Sequence, residues 1–258
     1  MAILRLDKFL ADAGLGTRSE VKQYIKKKRI TVNNKGDMKS DTKINVEQDV
    51  VCFDGKIITG KQLCNTGHKY FILHKPAGFV CATRDLKEKT VLDLLSKTDV
   101  KNLFPIGRLD KDTEGLLILT DDGLLAHDLL SPRKHVQKTY FVRVDGFISQ
   151  EMVKAFCEGF HIGTVGEEKK DKLTLPAQLS VILASEHESE AMVTIHEGRY
   201  HQIKRMFQVF HCRVLYLKRI SMGNLKLPVE LKCGDYRKMT ENEVLSLQEK
   251  TNLCDTNV

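Results

Sequence analysis

The stretch GRLDKDTEGLLILTDDG, from Gly107 to Gly123, places five acidic residues around a segment that is otherwise apolar. The run LLIL inside it is typical of a buried strand, and the apolar run LFPI comes shortly before it. The closing DDG is a turn signal. Acidic residues at the edge of such a run lie either in an ordinary exposed turn or in a site that needs a carboxylate. Asp110 raises this question most sharply, because it lies between a leucine and a lysine.

A calcium loop is one interpretation, since Asp110, Asp112 and Glu114 take alternate positions. The twelfth position of such a loop usually supplies a bidentate Glu, whereas this sequence has the shorter Asp121. A helix must also precede the loop, and NLFPIGR contains a proline and a glycine there. We therefore expect no calcium site. An exposed acid-rich turn remains open for the acidic residues other than Asp110.

A catalytic carboxylate is the third interpretation. An aspartate can act as a covalent nucleophile when a pocket holds it and a cation orients it. Its ordinary pKa is about 3.9, and burial raises the pKa of a carboxyl group, so a neighbouring cation is needed to keep it charged. Arg108 is two residues away, and alternate residues of an extended segment share one face.

Composition limits the class of protein. The chain has 258 residues, of which 41% are hydrophobic, and no apolar run approaches the roughly 20 residues that span a bilayer. Seven cysteines occur singly, without a C-x-x-C pair, which argues against a disulfide framework or a zinc site and favours a reducing cytoplasm. We expect no secretory signal and no membrane partner.

Positive charge is concentrated at the start of the chain. The formal net charge is +7, and residues 1–40 alone contain ten Lys or Arg against four acidic residues. LDKFLADA predicts a helix, and Thr17 with Glu20 forms a capping box that opens a second helix ending near Lys28. Short strands follow to about residue 60. A basic face on such a unit is either a solvated surface or the footprint of a polyanion.

The remainder predicts an α+β domain with a mostly antiparallel sheet and flanking helices, because strands dominate without regular β-α alternation. We assign residues 1–60 to the first domain, 61–68 to a linker, 69–250 to the second domain and 251–258 to a disordered tail. TVLDLLSK (90–97) and RYHQIKRMFQVF (199–210) predict helices, and a capping box of Thr240 and Glu243 opens a terminal helix.

The first domain resembles the alpha-L RNA-binding motif of a small-subunit ribosomal protein, through RLDKFLADAGLGTRSEVKQYIKKKRITVNNK. This resemblance implies contacts with RNA phosphates, so that affinity falls steeply with salt. The residues expected to make RNA contacts are Arg5, Lys8, Arg18, Lys22, Lys26, Lys27, Lys28, Arg29 and, from the second domain, Arg205.

The opening stretch resembles the signature of the pseudouridine synthases that modify ribosomal RNA. HKPAGFVCAT, SPRKHVQKTYFVRV and EGRYHQIKRMFQVFHCRVLYLKRISMGNLKL resemble further motifs of this family, in the same order. The subgroup acting on one uridine of bacterial 16S rRNA is the most similar, chiefly through YLKRISMG and the short final helix. Enzymes of the large subunit share most of these motifs, so 23S rRNA remains an alternative substrate.

The resemblance implies a role for several residues. Asp110 becomes the catalytic residue, and attack on the sugar, attack on the base and proton abstraction all remain open. Tyr140 would stack on the uracil, and Ile203 would pack against it. Lys204 would be the cation beside Asp110, with Arg205 as the alternative. Arg108 and Lys75 complete the expected substrate-binding residues, with a structural role as the alternative for Lys75.

No redox cofactor is expected, because the isomerisation exchanges no electrons. The sequence contains no nucleotide or metal motif, so we expect no cofactor and no metal. The expected partner is ribosomal RNA in an assembling small-subunit particle, and we expect a cytoplasmic monomer. Two rival functions remain: a non-catalytic rRNA-binding or assembly factor, and a metal-dependent nuclease using Asp110 and Asp112. Nothing in binding alone requires GRLD, KTY and HQIK together, and only the nuclease should lose activity with a chelator.

Overall fold

The structure, a computed structural model, describes residues 3–13, 15–46, 48–58, 68–165 and 171–252. The chain divides into two compact units: Met1–Lys69 with Asp121–Leu124, and Tyr70–Thr120 with Leu125–Val258. The predicted linker lies outside the described residues except for its last residue, and so does the predicted tail beyond residue 252. Among the helices described, none is both long and apolar enough to cross a membrane.

Two helices and short strands build the first unit. Helix α1 is Leu6–Asp12 and helix α2 is Arg18–Lys26. The predicted capping box opens α2: the Glu20 amide donates to the Thr17 hydroxyl at 3.3 Å, and the Thr17 amide donates to the Glu20 carboxylate at 2.7 Å. Each half of the box satisfies an amide that the first turn of a helix leaves free.

The strands of the first unit form two small antiparallel sheets. Strand β1 (Ile3–Arg5) pairs with β3 (Lys43–Asn45). Strands β2 (Ile30–Val32), β4 (Val51–Phe53) and β5 (Lys56–Ile58) form a meander. Their apolar side chains and those of the two helices share one buried core. The basic side chains of α2 are thereby left on its exposed face.

A nine-stranded sheet forms the centre of the second unit, in the order β10-β11-β9-β12-β8-β6-β14, with β13 paired to β12 and β7 to β8. The strands are β6 (Tyr70–Lys75), β7 (Phe104–Pro105), β8 (Glu114–Thr120), β9 (Lys138–Asp145), β10 (Gln178–Leu183), β11 (Glu188–Ile195), β12 (Val214–Met222), β13 (Leu225–Lys226) and β14 (Tyr236–Lys238). Within the described ranges β8 and β12 are parallel and the other neighbours are antiparallel, which confirms the predicted fold class.

The remaining helices are α3 (Gly123–Leu130), α4 (Gln150–Glu158), α5 (Gln202–Val209) and α6 (Glu241–Asn252). Helices α4 and α5 bury apolar residues in one core, together with side chains of β9 and β11. Helices α3 and α6 contribute to another core, with side chains of β6 and β8. The terminal helix begins with the predicted capping box, since the Thr240 amide donates to Glu243 and the Glu243 amide to the Thr240 hydroxyl.

Two elements differ from the sequence-based prediction. The helix expected at 90–97 is only a 3-10 turn, Val91–Leu94. Asp93 accepts the Thr90 amide at 2.7 Å and so closes one turn, and Leu95 continues in an extended conformation with its side chain buried. Helix α4 was not predicted, although Met152 and Phe156 show helical spacing and are both buried.

Successive residues of β6 and β8 point to opposite faces of the sheet. The pairs Lys75–Gly115 and His74–Leu116 are cross-strand neighbours, so Lys75 lies on one face while His74, Leu116 and Glu114 lie on the other. The loop that carries Asp110 connects β7 to β8. The sheet therefore brings Lys75 beneath that loop, and it keeps His74 and Glu114 on the reverse side.

Gly115 allows the close approach of β8 and β12, and Gly115→Ala tests this contact. Gly115 has φ of +106°, and an added Cβ would lie 2.6 Å from the Arg219 amide nitrogen. Neither the strained backbone nor the neighbouring main chain can relieve such a clash cheaply. We expect Gly115→Ala to lower the free energy of unfolding by about 3 kcal/mol, measured by urea denaturation.

Gly198→Ala is the matched control, because a Cβ there meets nothing within 4 Å. It should change the free energy of unfolding by less than about 1 kcal/mol. Equal stability of the two variants would show that the strands move apart without cost.

Candidate active site

A fully buried lysine fixes the loop that carries Asp110. The ammonium group of Lys75 donates to the carbonyl oxygens of Pro76 at 3.0 Å, Asp110 at 3.1 Å, Lys111 at 3.2 Å and Thr113 at 2.8 Å. Burial lowers its pKa from the ordinary value. Within the described residues its hydrogen bonds are all to backbone, and its side chain has no exposed surface. The substrate contact expected for Lys75 is therefore wrong: this residue holds the loop in place.

The carboxylate of Asp110 lies between two basic side chains. Its Oδ2 is 3.1 Å from Nζ of Lys204, and its Oδ1 is 3.5 Å from Nε2 of His201. The Asp110 side chain is 27% exposed, so it is sheltered but open to a ligand. The same Lys204 ammonium lies 2.6 Å from Oδ1 of Asp112, whose side chain is 73% exposed. One lysine thus bridges two carboxylates at the mouth of a cleft.

The ionised forms of Lys204 and Asp112 stabilise each other. Burial acts to lower the pKa of Lys204, but hydrogen bonds to Asp112 and Asp110 outweigh it and raise the pKa above 10.5. Burial acts to raise the pKa of Asp112, and the hydrogen bond and charge of Lys204 hold it below 3.8. Lys204 is therefore an ammonium ion at neutral pH.

Arg108 is not the cation that pairs with Asp110. Its side chain is exposed, and across the described ranges no ion pair joins the two residues. The alternation argument assumed a strand, but residues 108–110 belong to no strand. Arg108 instead lines the same cleft as Asp110. A contact between Arg108 and a ligand therefore remains a proposal.

Helix α5 positions both basic partners of Asp110. His201 precedes the helix with a left-handed φ of 48°, and Lys204 follows one turn later. The buried Gln202 donates to the Glu197 carboxylate at 2.8 Å and accepts the Arg199 amide at 2.9 Å, which ties the start of the helix to the preceding loop. His201 was not predicted for this site, although its spacing of three from Lys204 was the available signal.

Arg205 points away from the cleft and into the protein. It is 7% exposed, and its guanidinium donates to the carbonyl oxygens of Ile162 at 3.2 Å, Tyr200 at 3.0 Å and Gly163. A buried guanidinium needs such acceptors. The expected RNA contact is therefore wrong, and so is the alternative that Arg205 pairs with Asp110.

The cleft beside Asp110 has a volume of about 900 Å³, within the usual range of small-molecule sites. Tyr140 of β9 lines it and is 7% exposed, and Ile203 lines a smaller recess beside Asp110. Lys138 also lines it, and burial together with the charge of Arg219 lowers its pKa to about 8. Lys138 was not predicted for this site, although it belongs to the same KTY motif as Tyr140. The cleft thus combines a carboxylate, a buried aromatic ring and positive charge.

The basic residues expected to bind RNA fall into two groups. Arg5 pairs with Asp7 at 2.9 Å, Lys28 with Asp37 at 2.7 Å, and Arg29 with Asp54 while also lying over the rings of Tyr24 and Phe53. Within the part of the chain that the structure describes, the other basic residues of this set form no ion pair. These residues are Lys8, Arg18, Lys22, Lys26 and Lys27.

Comparison with known proteins agrees with the fold. The RNA pseudouridylate synthase family model matches residues 69–209, and the S4 domain model matches residues 4–35. The chain belongs to the RNA pseudouridylate synthase family, and it is an enzyme that carries an S4 domain.

Curated relatives match over the whole length. An uncharacterized RNA pseudouridine synthase of Bacillus subtilis is 40% identical, over 95% of this chain and 99% of the relative. The ribosomal small subunit pseudouridine synthase A of Escherichia coli is 37% identical, over 95% of this chain and all of the relative. A solved pseudouridylate synthase has a TM-score of 0.66 at 34% identity, over 95% of this chain and 99% of the solved chain.

Lys204→Met tests the charge cluster through the pH dependence of stability. Asp112, with its lowered pKa, stabilises the fold above its ordinary pKa and loses this effect as pH falls through the lowered value. Lys204, with its raised pKa, stabilises below 10.5 and loses this effect as pH rises through the raised value. We expect the free energy of unfolding of the variant to be lower than that of wild type by about 1 kcal/mol at pH 7. The effect is small because the Lys204–Asp112 pair is partly exposed.

Urea denaturation across pH measures this difference. The difference in free energy of unfolding between wild type and Lys204→Met should be largest between about pH 4 and 10 and should decrease below and above this range. Lys204→Arg keeps the charge and is the control. A gap that does not change with pH would mean that Lys204 stabilises the fold by packing alone.

Proposed function

We propose that this protein isomerises a specific uridine of 16S ribosomal RNA to pseudouridine, with Asp110 as the catalytic residue. The observation that carries the proposal is the position of its carboxylate, 3.1 Å from the Lys204 ammonium, in a cleft that Tyr140 also lines. The family supports the reaction. The name of the small-subunit relatives supports 16S rRNA as the substrate.

The reaction rearranges bonds within one nucleotide. The bond from C1′ of ribose to N1 of uracil breaks, the ring turns, and a new bond joins C1′ to C5. The proton that C5 carried passes to solvent and N1 takes up a proton in its place, so atoms balance and no electrons are gained or lost. A carboxylate can attack the sugar, attack the base or remove a proton, and each role requires an ionised Asp110. Lys204 supplies a positive charge 3.1 Å from this carboxylate.

A uridine must leave the RNA stack to reach Asp110. Extrusion of a base costs a few kcal/mol, and stacking on an aromatic side chain returns about 1–3 kcal/mol. Tyr140 and Ile203 line the recess beside Asp110 and offer an aromatic and an apolar surface to the uracil. Lys138 and Arg108 give the wider cleft the positive charge that phosphates require. The isomerisation uses no redox chemistry, so the proposal includes no cofactor.

The first unit binds the RNA in this proposal. Arg18, Lys22 and Lys26 lie on the exposed face of α2 at spacings of four. A surface groove beside this helix is lined by Arg5, Lys22 and Lys26 as well as by Lys39. Such a cluster of cations releases counterions from a nucleic acid when it binds. We further propose a cytoplasmic monomer that acts on rRNA in an assembling small-subunit particle.

Asp110→Asn tests the catalytic assignment. The variant keeps the shape of the side chain but removes its charge, so pseudouridine formation should fall by about 10³-fold or more while RNA affinity changes little. Tritium release from C5 of labelled 16S rRNA measures turnover, and carbodiimide mapping locates the modified nucleotide. Labelled 23S rRNA, assayed in parallel, distinguishes the alternative substrate.

Asp112→Asn is the matched control, since Asp112 shares Lys204 but is largely exposed. Its rate of pseudouridine formation should fall by less than about tenfold. Equal tritium release by wild type and Asp110→Asn would refute the catalytic role, and release by neither would favour a non-catalytic rRNA-binding factor. Loss of RNA cleavage with a chelator would instead favour the nuclease.

The double variant Lys22→Gln, Lys26→Gln tests RNA binding by the first unit. Each lost phosphate contact should reduce the slope of log affinity against log salt by about 0.7–0.9, so two should reduce it by about 1.4–1.8. Filter binding from low to high salt measures the slope. A double variant of two exposed lysines in the second unit, Lys101→Gln and Lys154→Gln, is the control. Identical slopes for all three proteins would exclude α2 from the interface.

A further inference from the structure

Three side chains with metal-binding atoms meet on the face of the sheet opposite Lys75. They are His74 at the end of β6, Glu114 at the start of β8, and Cys233 in the segment before β14. One nitrogen, oxygen or sulfur atom of each lies within 4.8 Å of the other two. We propose that His74, Glu114 and Cys233 bind a zinc ion.

His74 provides the first reason. It is 6% exposed, and its Nδ1 lies 2.8 Å from the carbonyl oxygen of Leu231. A carbonyl oxygen can only accept a hydrogen bond, so Nδ1 carries the proton and Nε2 of the neutral ring presents a lone pair. That Nε2 is buried and has no hydrogen-bond partner among the described residues. A histidine held by one nitrogen with the other left bare has the usual arrangement of a metal ligand.

Glu114 is oriented in a similar way. The hydroxyl of Tyr216 donates to its Oε2 at 2.7 Å, which fixes the carboxylate. Metal-binding carboxylates are commonly held by such a hydrogen bond from outside the ligand set. Glu114 thus has one oxygen in use and a second available to an ion.

Cys233 is exposed, but the backbone holds its segment beside His74. The Gly234 amide donates to the His74 carbonyl at 2.8 Å, and the His74 amide donates to the Asp235 carbonyl at 3.0 Å. A divalent cation would bind the sulfur as thiolate, and the thiol proton would pass to solvent.

The donor set selects the metal. One imidazole nitrogen, one carboxylate oxygen and one thiolate sulfur suit zinc better than the oxygen-seeking magnesium or calcium. Tetrahedral zinc, with bonds of about 2.0–2.3 Å, places its ligand atoms roughly 3.3–3.8 Å apart. Cys233 is exposed and can rotate to close the remaining distance. Water would complete the fourth position, and the ion would tie the 231–235 segment to β6 and β8.

Metal titration of the full-length protein tests this site. After dialysis against a chelator, we expect one equivalent of Zn²⁺ to bind, measured by calorimetry and by metal analysis after gel filtration. Co²⁺ in its place should give a thiolate-to-cobalt charge-transfer band. Cys233→Ser should lose this band and weaken Zn²⁺ binding by at least about 100-fold, because loss of a hydrogen-bond partner outside the ligand set already costs 10–100-fold.

Cys157→Ser is the matched control, since Cys157 is also an exposed free cysteine but lies on α4. It should bind both ions as wild type does, and circular dichroism should show that both variants are folded. Equal affinity in all three proteins would mean an adventitious ion only, and no stoichiometric binding by wild type would overturn the proposal. A band that survives in Cys233→Ser would exclude Cys233 as the ligand.

Discussion

A single buried ammonium group determines the geometry on which the catalytic unit depends. Lys75 donates to four backbone carbonyl oxygens, and three of them belong to the loop of Asp110. A buried charge is strongly unfavourable unless it is hydrogen-bonded, and an irregular loop is unfavourable while its carbonyls lack partners. The loop carbonyls accept the hydrogen bonds that the buried ammonium group needs, and the ammonium group in turn supplies the donors that those carbonyls need. The loop therefore keeps one conformation without regular secondary structure, and it presents Asp110 at the cleft.

The catalytic proposal depends on how separate elements converge on this loop. Asp110 precedes β8, Lys204 lies on α5, and Tyr140 lies on β9. The packed sheet and helix hold these groups, so a substrate base would meet a site that is already arranged. In a preorganised site, binding costs little side-chain entropy. The ion pair of Asp110 with Lys204 orients the carboxylate in this site.

The basic residues of the first unit serve two purposes that composition alone does not separate. Arg29 packs over Tyr24 and Phe53 and pairs with Asp54, so its charge contributes to folding. Lys22 on α2 is exposed and has no ion-pair partner within the described residues, so its charge is available to a polyanion. In the second unit, the two faces of the β6–β8 pair likewise have different roles. One face supports the catalytic loop, and the other carries the proposed zinc ligands.

Local sequence determined the elements whose signals are local. The capping box of Thr17 and Glu20 and the buried run of β8 follow from residues a few positions apart, and so does the helix that carries Lys204. Only the tertiary structure decided that Lys75 and Arg205 are buried and bound to carbonyl oxygens. The reason is physical: burial and charge pairing depend on which distant segments the sheet brings together, and residue spacing along the chain does not record those distances.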